Sequence, residues 1–150
     1  MASLPTLDAF TSLGLLSLLA YVPHALKAYV ILQRTGRYGL QNTRETVAKA
    51  VAVVGAETPD GRLIARLQSC HANHLEHFPI VAAAVLMAVA AGVDRGATDA
   101  AATAIVVARV AHAAAYAIGT PLVRSAAFVL GCVPLGYLMV AAATARSKTA

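Results

Sequence analysis

Four apolar stretches, each long enough to cross a bilayer, constrain this 150-residue chain more than any other feature. In hydrocarbon, backbone N–H and C=O groups find no water, so a spanning segment bonds within itself as a helix of about 20 residues. Four such helices take up most of the length and leave no room for a soluble domain beside them. The apolar patterning places them at approximately 7–33, 61–91, 98–119 and 121–145. The expected fold is an all-α integral membrane protein, a four-transmembrane-helix bundle forming a single domain over 1–150. Composition enters as a check: 59% of residues are hydrophobic and 13% charged, against about 25% charged in an average soluble domain. Aromatics are scarce and Trp is absent, so the apolar excess lies in Ala, Val and Leu, small enough in large part for close helix packing in lipid.

The net charge of +5 does not point to nucleic acid, because the Lys and Arg residues flank apolar runs instead of clustering with aromatics on a soluble face. They read as topology signals. Between the first two spans, residues 33–61 carry Arg34, Arg37, Arg44, Lys49 and Arg62 at its edge, with a turn signal at Pro59-Asp60-Gly61. The middle of this connection, Thr43 to Val54, has helical spacing and is expected to lie as a short interfacial helix. This side, shared with Arg124, is cytoplasmic by the positive-inside rule, with Arg95, Arg146 and Lys148 opposite. Cys70 and Cys132 fall inside apolar segments, so no disulfide framework is expected. No Lys or Arg precedes the first apolar run, which argues against a cleavable signal peptide.

Ionisable residues inside a membrane helix are costly and point to function. On the second span Arg62, Arg66, Ser69, Asn73, Glu76 and His77 fall on one helical stripe, with His71 and His74 on a neighbouring face. On the third, Arg109, His112 and Tyr116 share a stripe, and Arg124 opens the fourth. These helix ends meet on the basic side and could enclose one cation-rich pocket. Such a pocket suits a small zwitterionic or anionic ligand: Arg forks hold carboxylates, Glu receives an ammonium, and Arg or Tyr beside a thiol favours the thiolate. Arg109, deep in its helix, reads as a structural residue bonded to Glu76 or a carbonyl. His71, His74 and His77 do not make a di-iron site, which needs about eight ligands, and no metal is expected.

The segment Arg66-Leu-Gln-Ser-Cys-His71-Ala-Asn73-His-Leu-Glu76-His-Phe-Pro79, with its His-x-Asn-x-x-Glu core, resembles the second-helix signature of the MAPEG family, the membrane-associated proteins in eicosanoid and glutathione metabolism. Ala108-Arg109-Val-Ala-His112-Ala-Ala-Ala-Tyr116, followed by Arg124, Phe128 and Gly131, is similar to the third- and fourth-helix pattern of its microsomal glutathione transferase branch. The resemblance implies a homotrimer that binds glutathione between subunits near the cytosolic face. By motif position His71, Asn73, Glu76 and Tyr116 contact glutathione, and Arg124 or Tyr116 holds the thiolate. Arg34 or Lys27 supplies a cation from the first helix. Together with the pocket residues, the expected glutathione set is Arg34, Arg66, His71, Asn73, Glu76, His77, Arg109, His112 and Tyr116, with Arg124 and Tyr116 catalytic. The chain departs from the family at Gln68 and Ser69, where a basic residue is common, and at His77, where an aromatic is common.

The function so implied is a membrane glutathione transferase, with peroxide reduction as a second use of the same thiolate. Glutathione is the co-substrate, and an apolar electrophile enters from the bilayer. The expected partners are membrane lipids and further copies of the chain, and the expected location is a bacterial inner membrane with the site facing the cytoplasm. The alternative is a non-catalytic lipid-binding or helper protein on the same scaffold. A transporter fits less well, because the polar residues gather at one end instead of lining a path across.

Overall fold

The computed structural model describes residues 6–39 and 43–147, and for Thr43 and Arg44 the backbone alone. Lys148, read above as a topology charge, lies outside the described residues. Five helices follow one another: α1 Ala9–Thr35, α2 Thr43–Val54, α3 Pro59–Ala90, α4 Arg95–Ile118 and α5 Pro121–Ser147. All but α2 are long and apolar enough to cross a membrane, and no more than 33% of the most apolar stretch of any of them is buried inside the bundle. The outward faces carry Leu18, Ile118 and Leu122, all well exposed, as lipid-facing surfaces require.

Helix ends fall where capping chemistry puts them, a few residues from where apolar patterning alone suggested. The α3 helix starts at Pro59 because the Thr58 hydroxyl accepts the Gly61 amide at 3.1 Å, so the Pro-Asp-Gly turn signal is the first helical turn, with Pro in the position where its missing N–H costs nothing. Likewise Asp94 accepts the Ala97 amide at 2.9 Å and starts α4 at Arg95, three residues before the expected Thr98. Asp8 caps α1 through the Phe10 and Thr11 amides.

The four long helices pack around a core of small and branched residues: Val81, Ala84, Val85 and Ala88 of α3, Ala102 and Ile105 of α4, and Leu138 of α5, each 1% exposed or less. Lipid offers apolar helices no hydrophobic reason to associate, so close van der Waals contact carries the packing. At Gly131 a Cβ would come within 3.2 Å of the Ala108 Cβ, which shows how tightly α5 approaches α4. A second, smaller cluster of Ile31, Ala50 and Ile64 seats α2 against α1 and α3. At the end away from α2, the Ala9 amide donates to Asp99 Oδ1 at 2.8 Å and the Leu7 amide to Thr103 Oγ1 at 2.9 Å, stapling the start of α1 to α4.

The Thr11 hydroxyl, the Thr11 amide and the Phe10 amide all bond the Asp8 carboxylate and hold it below its ordinary pKa. A carboxyl depressed in the folded state adds stability above its unfolded pKa and loses it as the pH falls through the folded value. The thermal midpoint of the detergent-solubilised protein is expected to fall below about pH 4, and Asp8→Asn to flatten that part of the profile. An unchanged acid limb in the variant would show that Asp8 contributes nothing there.

Candidate functional site

The end of α1, the starts of α3 and α5 and the end of α4 open on one side of the bundle, as expected. The polar side chains there do not form a single pocket. The expected stripe on α3 divides, because residues three and four apart diverge enough over four turns to face different neighbours.

Arg66 faces the end of α4. Its Nε donates to the Tyr116 carbonyl at 3.0 Å and Nη2 to the Ala117 carbonyl at 3.2 Å, supplying donors to the last turn, where carbonyls have no helical partner and a cation is favoured. The helix stops at Gly119, whose φ of 78° suits glycine. A Cβ there would lie 3.3 Å from Arg66 Cζ. The guanidinium expected in the ligand pocket is thus a clamp joining α3 to α4.

About two turns deeper on α3, Asn73 Oδ1 accepts a hydrogen bond from Arg109 Nη1 at 2.9 Å and lies 3.1 Å from His112 Nε2. Arg109 was expected on Glu76 or a carbonyl; it sits on Asn73 instead, because position 73 and not 76 faces α4. His112 Nδ1 reaches the carbonyl of Arg124 at 2.9 Å, and a neutral imidazole donates through one of its nitrogens at a time. The Arg124 side chain folds back so that Cζ lies 4.8 Å from the Tyr116 ring centre, a cation–π contact. Tyr116 in turn meets His112 edge-on at 5.1 Å. His74 packs 6.0 Å from His112, and His77 lies edge-on to Phe128 at 5.4 Å. Both are buried, so His77 is a packing residue of the α3–α5 contact.

The opposite face of α3 carries a second polar group. His71 donates from Nδ1 to the Ala20 carbonyl at 2.7 Å and lies 4.9 Å from the His24 ring. Lys27, 1% exposed, donates to Gln68 Oε1 at 2.5 Å. Lys27 is the buried cation of α1, whereas Arg34 forms a 2.7 Å ion pair with Asp60 that ties the end of α1 to the start of α3. Gln68, noted above only as a departure from the family pattern, turns out to be the anchor of Lys27. Its signal was present in the sequence as a polar residue in the turn before His71. Phe128, which lies against both His77 and His112, carries no polar signal and was legible only through the resemblance.

Glu76 belongs to neither group. It is exposed on the flank of α3, with no ion pair among the described residues. Nor do any three His, Cys, Asp or Glu side chains among the described residues converge as metal ligands, since His71 faces α1 while His74 and His77 face α4 and α5.

A sequence model of the MAPEG family matches residues 11–144, all four spans and both polar groups included. The chain belongs to the MAPEG family. No curated protein and no solved structure matches it. Membership supports a membrane function related to glutathione in general, and it makes this MAPEG protein an integral, multi-pass membrane protein.

In this MAPEG chain Asn73 is the sole hydrogen-bond acceptor given to a guanidinium that is 3% exposed and whose Nη2 has no partner among the described residues. Asn73→Leu is expected to destabilise the purified protein by about 2–3 kcal/mol, read as loss of the thermal midpoint in detergent. Glu76→Gln should leave that midpoint within about 0.5 kcal/mol of the parent. Equal losses in both variants would remove Asn73 from this role.

Proposed function

We propose that this protein is a membrane glutathione transferase, a homotrimer that joins the thiolate of glutathione to an apolar electrophile arriving from the bilayer, with peroxide reduction as a second use of the thiolate. The observation that supports this most is the Arg124 guanidinium over the Tyr116 ring at 4.8 Å, held at the basic end of the bundle by the hydrogen bond that its own carbonyl accepts from His112. Glutathione, when bound, supplies the thiol. A guanidinium and a phenol beside a thiol favour its deprotonation and offset the charge that develops on sulfur.

The remaining residues fit the rest of such a ligand. Glu76, exposed and without an ion pair among the described residues, suits an ammonium. Lys27 and His71 lie on the α1 side of α3, whereas Asn73, Tyr116 and Arg124 lie on the α4–α5 side, so one ligand that touches both sets does so across two copies of the chain. This is the reason for reading the site as one completed in the trimer. The basic residues of the α1–α3 connection support a cytoplasmic face for the site by the positive-inside rule, and the reading extends to a bacterial inner membrane.

Purified protein is expected to bind glutathione at millimolar concentration or below and to show the ultraviolet absorbance of a thiolate on saturation. Arg124→Ala should lower kcat/KM for conjugation of an aryl halide by about 10²–10³-fold while changing glutathione affinity much less. Glu76→Gln should weaken glutathione binding by roughly tenfold. No binding at millimolar glutathione would overturn the transferase reading and leave the helper reading in its place. Equal loss of binding and turnover in Arg124→Ala would remove Arg124 from the chemical step.

A further inference from the structure

The short helix α2, the end of α1 and the residues just after α1, up to Gly39, line an open cavity of about 600 Å³ that the reading above does not use. Its floor is apolar: Ile31, 1% exposed, and Ala50, 4% exposed, with Val53 largely exposed at the rim. Its polar lining includes two cations, Arg37 and Lys49. The Thr46 hydroxyl donates to the Gly39 carbonyl at 3.1 Å and closes the loop against α2 on one side. The cavity therefore has a wet, positive part and a dry part.

The charge around it is unbalanced. From Arg34 to Arg62 the chain has five basic side chains, at 34, 37, 44, 49 and 62, against three acidic ones, at 45, 57 and 60. The three acids are matched by Arg34–Asp60, Lys49–Glu45 and Arg62–Glu57. Arg37 has no ion pair among the described residues. Lys49 is 73% exposed in its pair with Glu45, and an exposed pair of this kind contributes under about 1 kcal/mol, too little to hold Lys49 against a stronger anion.

Position supplies the rest of the argument. The cavity sits where α1 leaves the membrane and α3 enters it, and α2 lies between them with its apolar residues Ala50 and Val47 packed on Ile31 and Ile64. A dissolved anion would use the cations and leave the apolar part unmatched, while a neutral lipid would do the reverse. We propose that this cavity binds an anionic phospholipid of the same leaflet. The phosphate lies between Arg37 and Lys49, and an acyl chain runs over Val53 toward Ile31. Cations at a membrane surface attract anionic lipid by about a factor of five each.

The test uses the full chain, purified in detergent and stripped of lipid. It is titrated with phosphatidylglycerol, with phosphatidylcholine of the same acyl chains, and with inorganic phosphate, reading the thermal midpoint and the lipid retained in native mass spectrometry. Phosphatidylglycerol is expected to stay bound at one copy per chain and to raise the midpoint; the other two are not. The double variant Arg37→Ala, Lys49→Ala should weaken phosphatidylglycerol about thirtyfold, Arg37→Lys should keep most of the affinity, and Arg95→Ala on the opposite face should keep all of it. Equal retention of the two lipids, a response to phosphate alone, an unchanged double variant, or a matching loss in Arg95→Ala would each overturn the proposal. Both altered side chains are exposed, so the double variant is expected to fold, and the Arg37→Lys arm separates charge from packing.

Discussion

A guanidinium buried in an apolar bundle without a carboxylate partner is the condition that the rest of this structure accommodates. Arg109 is 3% exposed, and a charge so placed costs several kcal/mol unless its donors are met. Asn73 meets one of them, which fixes the register of α4 against α3 to within a side chain's reach. His112, three residues along α4, then falls beside the same oxygen and against the carbonyl of Arg124, so the register passes on to the start of α5. Once that carbonyl is fixed, the Arg124 side chain reaches the Tyr116 ring from a backbone that has little freedom left. Four residues on three helices are thereby placed by one buried charge.

The same helix serves both polar groups because 100° per residue separates positions 71 and 73 onto opposite sides. A histidine aimed at α1 and an asparagine aimed at α4 require no break in α3, and each finds its partner on a different neighbour. The opposite half of the bundle has the complementary task. Ala84, Ala88 and Ala102, all unexposed, let α3 and α4 approach closely where no polar contact holds them, and dispersion contacts at that end offset part of the desolvation cost at the other.

The spans were legible because hydrocarbon imposes a length and a polarity that the sequence must satisfy; the interfacial helix was legible because its apolar spacing survived in a polar stretch. Helix starts were less so, since Thr58 and Asp94 act through single hydrogen bonds that hydropathy does not register. The polar residues of the spans were legible one by one, but not how they are arranged. Polar residues at Arg66, Asn73, Glu76 and His77 look alike along one stripe, and only the positions of α1, α4 and α5 decide that the first becomes a helix clamp, the second a shared acceptor and the fourth a packing surface. Gln68 and Lys27 lie 41 residues apart, and no local pattern announces that they meet.

Glu76 is what this arrangement leaves over. Arg66 lies level with the end of α4, and ten residues of helix carry Glu76 about 15 Å further along. Asn73 is already committed to Arg109, and Arg109 is buried on the α4 side of it, so that cation is closed to this carboxylate. Lys27 is likewise taken up by Gln68 on the α1 face. An ionisable group exposed on a membrane span is retained only where something meets it, and among the described residues no ion pair does. On the reading proposed above, the ammonium of the ligand meets it, and the exposed flank of α3 is then the working surface of that helix.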